Sequence, residues 1–318
     1  MKFELIIENN GEFYFPCVLD TVRWSTKRRG CPGELNFSVI QDDTLNFEEG
    51  NPVRLKIDDK NVFYGFVFTK KRDKQSIIKV TAYDQLRYLN NNDTYRFVNK
   101  TASDIIKIIA GDFNLNLGTI ENTGFTIPKI LEDNSKLFDI IYKALDMELT
   151  NTKNLYIFYD DFGKLTLTSL ENMKVDLIID EETGQNYDYK STIDEETYNK
   201  IKIISENSDT EPRSIYIAQD GNNINKWGIL QYFDTFTNGE DGKIKADSLL
   251  SLYNNKTRNL KITKAFGDTH VRAGSMPVVN LNLGDVKLKN YMMVEKCTHI
   301  FSESDHTMDL HLKGGDFA

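Results

Sequence analysis

Hydrophobic and polar residues alternate along much of the first hundred positions of the chain. In NPVRLKID, residues 51–58, Val53, Leu55 and Ile57 fall on one face and the charged residues between them on the other, which is the period-two pattern of a half-buried strand. Similar segments recur about every ten residues, with turn residues and no helical pattern between them. We therefore predict an antiparallel β-barrel over residues 1–96.

Near its C-terminal end the chain returns to the pattern that it shows around residue 50. The two segments align as follows: Gly50 beside Gly274, Pro52 beside Pro277, and FYGFVFTKKRD (63–73) beside NYMMVEKCTHI (290–300). Gly65, inside the first of these strand patterns, is predicted to mark a bulge or a sharp bend. The repeated order predicts a second, similar β-barrel over residues 193–318, with an inserted segment around 207–262.

Between the two barrels the hydrophobic period becomes helical. Thr101 and Asp104 form a capping pair before an isoleucine-rich stripe, and Ser135 is the predicted cap of a second helix. A hairpin pattern, NLYIFYDDFGKLTLTSL, follows. We predict a two-helix α+β middle domain over residues 97–192. The acidic segment that begins at Asp180, DEETGQNYDYKSTIDEET, is predicted to be a linker or an exposed excursion.

The composition is that of a soluble protein made in the cytoplasm. Of 318 residues, 40% are hydrophobic and 27% are charged, and no apolar run approaches the ~20 residues of a membrane helix. The N-terminal residues alternate and include Glu4 and Glu8, which does not fit a signal peptide. Three widely spaced cysteines predict free thiols in a reducing compartment.

The net charge of −9 repels nucleic-acid phosphates, so sequence-specific nucleic-acid binding is not expected. Two basic clusters stand out against this balance. They are either solvated hairpin loops or a docking surface for an acidic neighbour. The clusters consist of Lys27, Arg28 and Arg29, and of Lys70, Lys71 and Arg72.

The sequence offers no constellation of residues that predicts catalysis, a metal or a cofactor. Asp161-Phe162-Gly163 matches a kinase motif, but the other kinase motifs are missing, so a hairpin turn is predicted. His306 and His311 lie five apart in a predicted strand and point to opposite faces. His270 and His299 have no nearby cysteine or histidine at ligand spacing, and all four histidines are expected on the surface or on the barrel wall.

Aromatic residues in two predicted strands have two interpretations. Trp24 precedes the first basic cluster, and Trp227 lies in INKWGILQYFD with Tyr232 and Phe233 close behind. Core packing is one interpretation, and subunit contact is the other, because tryptophan, tyrosine and phenylalanine are enriched at interfaces. With Lys27, Arg28 and Arg29, these residues form our set of candidate interface residues.

The order of elements resembles the tail hub family of contractile phages and phage-tail-like particles, and above all the PBSX-type prophage hub proteins. The Mu-like hubs are more distant cousins. The resemblance covers nearly the whole chain and is carried by the following segments in addition to the hairpin: YNKIKII, NINKWGILQ, KADSLLSLYNN and GDTHVRAGSMPV.

This resemblance implies a structural protein without catalysis. Members of the family form trimers in which each chain contributes two similar barrels, so that six barrels surround one axis and join a trimeric spike to a six-fold tail tube. The implied partners are the tail tube, spike and tape measure proteins and a LysM-type baseplate protein, and the implied location is the baseplate of a phage or of a headless bacteriocin. Two other function classes stay open: a cell-wall-degrading enzyme that uses carboxylates of the middle domain, and a carbohydrate-binding adhesin.

Overall fold

A computed structural model describes residues 2–205, 214–236, 241–282, 287–303 and 305–314 of the chain. Strands predominate and helices are few, so the predicted mainly β fold class with an α+β part is confirmed. The first strands are β1 (Phe3–Asn9), β2 (Glu12–Tyr14), β3 (Val18–Lys27), β4 (Glu34–Ile40), β5 (Pro52–Ile57), β6 (Lys60–Arg72) and β7 (Ile77–Tyr83). Their alternating apolar residues bury one continuous core, as the period-two pattern predicts.

The middle of the chain contains two helices and two small sheets. Its elements are a 3₁₀ helix (Gln85–Asn90), β8 (Asn92–Lys100), α1 (Ala102–Asp112), β9 (Leu117–Ile120), β10 (Ile127–Lys136), α2 (Leu137–Thr152), β11 (Tyr156–Asp160), β12 (Leu165–Ser169) and a second 3₁₀ helix (Leu170–Met173). Strand β10 pairs with β8, and β12 lies between β11 and β9. The helices pack their apolar stripes into a core of their own.

One of the two predicted helix caps is confirmed. The Thr101 hydroxyl accepts a hydrogen bond from the Asp104 N–H, and the Asp104 carboxylate accepts one from the Thr101 N–H. The second cap is wrong, because Ser135 lies in β10 and helix α2 starts after Lys136 without a side-chain cap. The Leu137 N–H donates instead to the carbonyl of Asn91, which satisfies this end of the helix from a neighbouring segment.

The last part of the chain is again rich in strands. Its elements are β13 (Lys174–Ile179), β14 (Asn186–Thr192), β15 (Lys200–Ser205), β16 (Ile215–Gln219), α3 (Gly221–Trp227), β17 (Gln231–Phe236), α4 (Gly242–Tyr253), β18 (Thr257–Phe266), β19 (Met276–Asn282), β20 (Lys287–Tyr291), β21 (Met293–Phe301) and β22 (His306–Gly314). Strand β14 pairs with β18 over seven residues, so of the two predictions for this segment the linker is wrong, and most residues of the strand are exposed. It is an edge strand with one strand neighbour, which requires few apolar side chains.

Strands from both ends of the chain join in one sheet. Its order is β14-β18-β22-β21-β3-β4-β7-β6-β5-β1-β2, and the pairing of β21 with β3 connects the last third to the first. This order has two free ends, so the described strands do not close into the two predicted barrels. The two thirds nevertheless keep separate apolar cores.

The two thirds have the same strand order in space and along the chain. In the first unit, which we define as β1 and β3–β7, the neighbours run β3-β4-β7-β6-β5-β1. In the second unit, which we define as β13, β14 and β18–β22, they run β14-β18-β22-β21 in the large sheet and β20-β19-β13 in a separate three-stranded sheet, and β20 leads directly into β21 along the chain. Strands β20 and β21 together correspond to β6. The units differ where they begin, because β1 pairs with β5 antiparallel and β13 pairs with β19 parallel.

Backbone hydrogen bonds repeat between the units at the aligned residues. The Gly50 N–H donates to the Val67 carbonyl at 2.7 Å, and the Gly274 N–H donates to the Val294 carbonyl at 2.7 Å. Both glycines have positive φ, +92° and +95°. After each valine the strand has one extra residue, Phe68 in β6 and Glu295 in β21. The sequence alignment of the two segments is thus also a structural one.

Gly65 does not mark a bulge, which was one of its two predicted roles. The extra residues of β6 are Val62, opposite β5, and Phe68, opposite β7. A Cβ on Gly65 would lie 2.3 Å from the carbonyl oxygen of Tyr83, so the glycine permits close approach of the neighbouring backbone where β6 passes from β5 to β7.

The second unit contains an insertion between β14 and β18. It includes the sheet β16-β15-β17, with α4 packed on one face. In the first unit the corresponding strands, β3 and β4, are joined by a short loop that carries Arg28 and Arg29. The division into domains at 96 and 192 stays a prediction, and β13 and β14, which precede the second boundary, pair with strands of the last third.

Candidate functional site

The joint between β3 and β21 is the contact through which the two units meet. Six residue pairs are in register, from Lys27 opposite Lys296 to Val22 opposite Phe301. On one face the Ser25 and Thr298 hydroxyl oxygens are 3.1 Å apart. A loop of the second unit adds a further bond to this joint, because the Ala273 N–H donates to Thr26 Oγ1 at 2.9 Å. The units are therefore joined by strand pairing.

Trp24 lies inside this joint and is not on the surface of the chain. Its side chain is 4% exposed and belongs to the core of the first unit. Its ring stacks on that of His299 across the two paired strands, with 4.8 Å between the ring centroids. Of the two interpretations of Trp24, the structure favours core packing.

His299 is fully buried beside a cysteine and a second histidine. Its Nε2 lies 2.8 Å from the Val271 carbonyl and 3.2 Å from Cys297 Sγ, and its Nδ1 lies 2.9 Å from His306 Nε2. We assign the proton to Nε2, which donates to the carbonyl. Burial, and then the neighbouring His306, lower the pKa of His299 to about 3. For His299 the prediction of a surface position and of no neighbouring cysteine or histidine is therefore wrong, and the residue lies in the sheet strand β21.

The basic residues of the β3–β4 loop form ion pairs within the chain. The Arg28 Nε lies 3.0 Å from both carboxylate oxygens of Glu295. Arg29 forms a bidentate pair with Asp146 of α2, at 2.8 and 2.7 Å. These contacts link the first unit to the second unit and to the middle part. Arg28 and Arg29, two of the candidate interface residues, therefore stabilise the chain itself. Lys27 remains exposed.

Tyr142 completes the contact between this loop and α2. Its hydroxyl donates to the Arg28 carbonyl at 2.9 Å, and the Arg29 guanidinium lies 4.6 Å from the centre of its ring. Burial raises the pKa of Tyr142 to about 12. The hydroxyl therefore stays protonated and can donate across the physiological pH range.

Two buried carboxyl groups and an arginine lie where the three parts of the chain meet. Asp84, at the end of the first unit, accepts hydrogen bonds from the Gly33 and Leu86 N–H groups at 2.8 and 3.1 Å. Asp160, in the middle part, accepts one from Gly163 at 2.7 Å. Arg272 of the second unit is electrostatically coupled to both.

Burial shifts the titration of both carboxyl groups. It raises the pKa of Asp160 to about 6, and burial together with the charge of Asp160 raises the pKa of Asp84 well above its usual value. The charge of the Arg272 guanidinium lowers the pKa of both carboxyl groups, but this effect is smaller than the rise caused by desolvation. One oxygen of Asp160 and the Arg272 Nε have no hydrogen-bond partner among the described residues. We interpret the group as a structural junction.

The aromatic residues of the insertion occupy three different environments. Trp227 is the last residue of α3, so its predicted place in a strand is wrong. Tyr232 packs against Tyr198 and Tyr253, with ring centroids 5.2 and 5.6 Å apart. Phe233 is 55% exposed on the sheet face away from α4, and Lys202 of β15 lies between it and the exposed Ile217 of β16. Of the three, Phe233 is the most available for contact with another molecule.

The DFG segment is a hairpin turn, as predicted. Strand β11 pairs with β12 on either side of it, and Phe162 and Gly163 both have positive φ, as a two-residue turn between antiparallel strands requires. Within the residues that the structure describes, no group of three or more histidine, cysteine, aspartate or glutamate side chains is placed to hold a metal ion.

The described helices include none of the length and apolarity that crossing a membrane requires. Two carboxylates of the middle part are engaged structurally: Glu121 accepts bonds from Thr168, Ser169 and Asn172, and Glu148 from Phe125 and Thr152. These bonds hold loops to β12 and α2.

The fold is one that occurs in phage tail proteins. The 43 kDa tail protein of prophage MuSo2 from Shewanella oneidensis superposes with a TM-score of 0.71 at 11% identity, over 97% of this chain and 98% of that protein. The Escherichia coli protein c3393, a component of the type VI secretion system with structural similarity to the T4 tail proteins gp27 and gp5, superposes with a TM-score of 0.59 at 8% identity, over 100% of this chain and 78% of that protein. At these identities the likeness concerns the fold.

The chain belongs to the YqbQ-like family, whose model matches residues 22–313. It is 30% identical to the phage-like element PBSX protein XkdQ of Bacillus subtilis strain 168, over 96% of this chain and 95% of that protein. It is 31% identical to YqbQ of the same organism over the same shares. The predicted resemblance to the PBSX-type prophage proteins is confirmed.

Proposed function

We propose that this protein is a structural baseplate hub of a contractile phage tail or phage-tail-like particle. Three copies form a ring, each contributes its two β units, and the six units join the tail tube to the central spike. The observation that carries this proposal is the repetition of one strand order, with the same glycine turn and the same extra residue, in both units. A three-fold ring built from two such units per chain presents six similar surfaces.

The comparisons support this role by family and by fold. The relative XkdQ is a protein of a phage-like element, and c3393 combines this fold with similarity to phage tail proteins. In this proposal the chain binds the tail tube, spike and tape measure proteins and a LysM-type baseplate protein. Lys27 and Phe233 are the candidate interface residues that are exposed for such contacts, and Trp227 is half-buried. The protein acts without catalysis in this proposal, and it assembles in the cytoplasm.

The mass of the purified chain in solution tests the proposal. A closed ring has a mass of about 110 kDa, three times the 36.7 kDa of one chain. Multi-angle light scattering over a hundredfold range of concentration should approach this value and not exceed it. A mass of one chain throughout, together with cell-wall hydrolysis or saturable glycan binding, would replace the hub with the enzyme or the adhesin.

A further inference from the structure

The joint inside one chain predicts the joint between chains. We propose that β14 of one copy pairs antiparallel with the second half of β6 in the next copy, residues 189–192 with residues 69–72, and so repeats the pairing of β3 with β21. This inference rests on the proposed ring and specifies the contact that closes it.

The strands on the two sides correspond by their places in the units. Strand β14 takes the place of β3, because β14 pairs with β18 as β3 pairs with β4. The second half of β6 takes the place of β21, because each pairs with the last strand of its unit, β7 or β22, with one extra residue in the same position. Within the chain, β3 of the first unit pairs with β21 of the second unit. The equivalent pairing in the opposite sense joins β14 of the second unit to β6 of a first unit, which lies in the next copy.

Both edges that this combination needs lack a second strand neighbour among the residues that the structure describes. Strand β14 is the terminal strand of the eleven-stranded sheet. Strand β5 pairs with β6 only as far as Phe66, so residues 69–72 have β7 on one side and no strand on the other among the described residues. In β21 the corresponding edge is the one that β3 covers. Open edges of this kind are templates for pairing with another chain.

The register follows from the same correspondence. Trp24 lies opposite Leu35 in the first unit, and Tyr189 lies opposite Leu260 at the equivalent position of the second unit. Both tyrosine and tryptophan turn toward the apolar core of their unit. Thr69 and Lys296 are each the first residue after the extra residue. We apply the residue pairs of β3 and β21 to the equivalent residues of β14 and β6. This predicts Thr192 opposite Thr69, Ser191 opposite Lys70, Lys190 opposite Lys71, and Tyr189 opposite Arg72.

The open edges also carry the donor and the acceptor for a second contact that the internal joint makes. Ala273, which precedes Gly274, donates its N–H to the Thr26 hydroxyl. The corresponding residues are Glu49, which precedes Gly50, and Ser191, which keeps a hydroxyl at the place of Thr26. No hydrogen bond of the Glu49 N–H occurs among the described residues. Pairing of the two copies places Ser191 within reach of this donor.

The loop that carries Glu49 and the equivalent loop that carries Ala273 are each contacted by a side chain of the adjacent strand. Lys70 Nζ donates to the Phe47 carbonyl, and Cys297 Sγ lies 3.9 Å from the Val271 carbonyl. Phe47 and Val271 each lie three residues before the glycine of the turn, and both are buried. The open edge of β6 is therefore built like the occupied edge of β21.

A disulfide across the predicted register tests this pairing. Lys71 and Lys190 are both exposed, and their counterparts Thr298 and Ser25 have side-chain oxygens 3.1 Å apart. We combine Lys71→Cys with Lys190→Cys in a chain that also carries Cys17→Ser and Cys31→Ser, since Cys297 is buried. Oxidation should produce denatured bands of two and three chains and none longer. The matched control combines Lys71→Cys with Asp188→Cys, two positions out of register, and should remain one chain.

The unmodified protein provides an independent measurement. Hydrogen–deuterium exchange on concentration should slow by tenfold or more at residues 69–72 and 189–192. The edge strand β2, at the other end of the same sheet, should not change. A mass of three chains without the disulfide or this protection would overturn the pairing and leave the ring in place. A mass of one chain at every concentration, without the disulfide, would overturn both.

Discussion

The Arg28 guanidinium lies 3.0 Å from both oxygens of the Glu295 carboxylate, and this ion pair fastens the first unit to the second. Its side chains are only 16% and 28% exposed, so water screens the pair weakly. We expect Glu295→Gln to lower the free energy of unfolding by about 1 to 3 kcal/mol, measured by urea denaturation. Lys2 and Asp59 form a control pair that is 63% and 76% exposed. Asp59→Asn should change the unfolding free energy much less, because water screens an exposed pair, and an equal loss from the two variants would contradict this difference.

The buried carboxyl groups at the three-part junction predict a pH dependence. The pKa of Asp160 rises from 3.8 to about 6 on folding, so the folded chain holds an extra proton between these values. This contribution to stability is present below about pH 4 and is lost as the pH rises through about 6. Asp160→Asn removes this contribution, so the unfolding free energy of the variant relative to that of the wild-type chain should rise between pH 4 and 7, by up to about 3 kcal/mol.

His299 provides the contrast for that measurement. Its pKa falls from 6.5 to about 3 on folding, so its contribution is lost as the pH falls below about 6.5. The two groups thus act in opposite directions over the same range. Parallel pH profiles for the wild-type chain and the Asp160→Asn variant would show that the carboxyl group does not titrate as its burial requires.

The two equivalent glycines should differ in their tolerance of a side chain. A Cβ on Gly50 meets open space, whereas one on Gly274 lies 2.4 Å from Ile157 Cγ2. Gly50→Ala should cost about 1 to 2 kcal/mol of unfolding free energy because of its positive φ. Gly274→Ala should cost ~1–3 kcal/mol more because of the overlap. A double-mutant cycle with Ile157→Ala should show coupling at Gly274 and none at Gly50. Equal coupling would argue against this contact.

The three thiols should react at different rates. Cys17 is exposed, Cys31 is half-buried and Cys297 is fully buried, where burial raises its pKa. Iodoacetamide at pH 8 should modify Cys17 first and Cys31 more slowly, because the thiolate is the reactive form. Mass spectrometry should find Cys297 unmodified until denaturant is added. Early modification of Cys297 would mean that the joint beside His299 opens readily.

Local patterns in the sequence predict those parts of the fold that depend on neighbours in the chain. Alternation around Val53 predicts a strand, the Thr101 and Asp104 pair predicts a helix start, and the repeat around Gly50 and Gly274 predicts matching turns. Each of these depends on a few adjacent residues. The alignment also places Val67 beside Val294, which receive the same hydrogen bond.

The contacts between distant segments could not be predicted in this way. The pairing of β3 with β21 joins residues more than 260 positions apart, and no local pattern specifies it. Arg28 and Arg29 have the composition of a docking surface, but their carboxylate partners come from other parts of the chain. Strand β14 lies at the sheet edge and has no aliphatic residue, with Tyr189 as its contact with the core, and such a polar edge strand resembles a linker in sequence.

The pairing of β3 with β21 also has a consequence for how the chain is made. The strands of the first unit are complete at Tyr83, but β3 receives its outer neighbour only when the chain reaches Phe301. At a synthesis rate of ~5–20 residues per second, this edge waits for about 10 to 40 seconds. Throughout this interval a nascent chain presents an uncovered strand to its neighbours on the polysome. Completion of the C-terminal strands therefore ends the period in which the newborn protein is most exposed to aggregation.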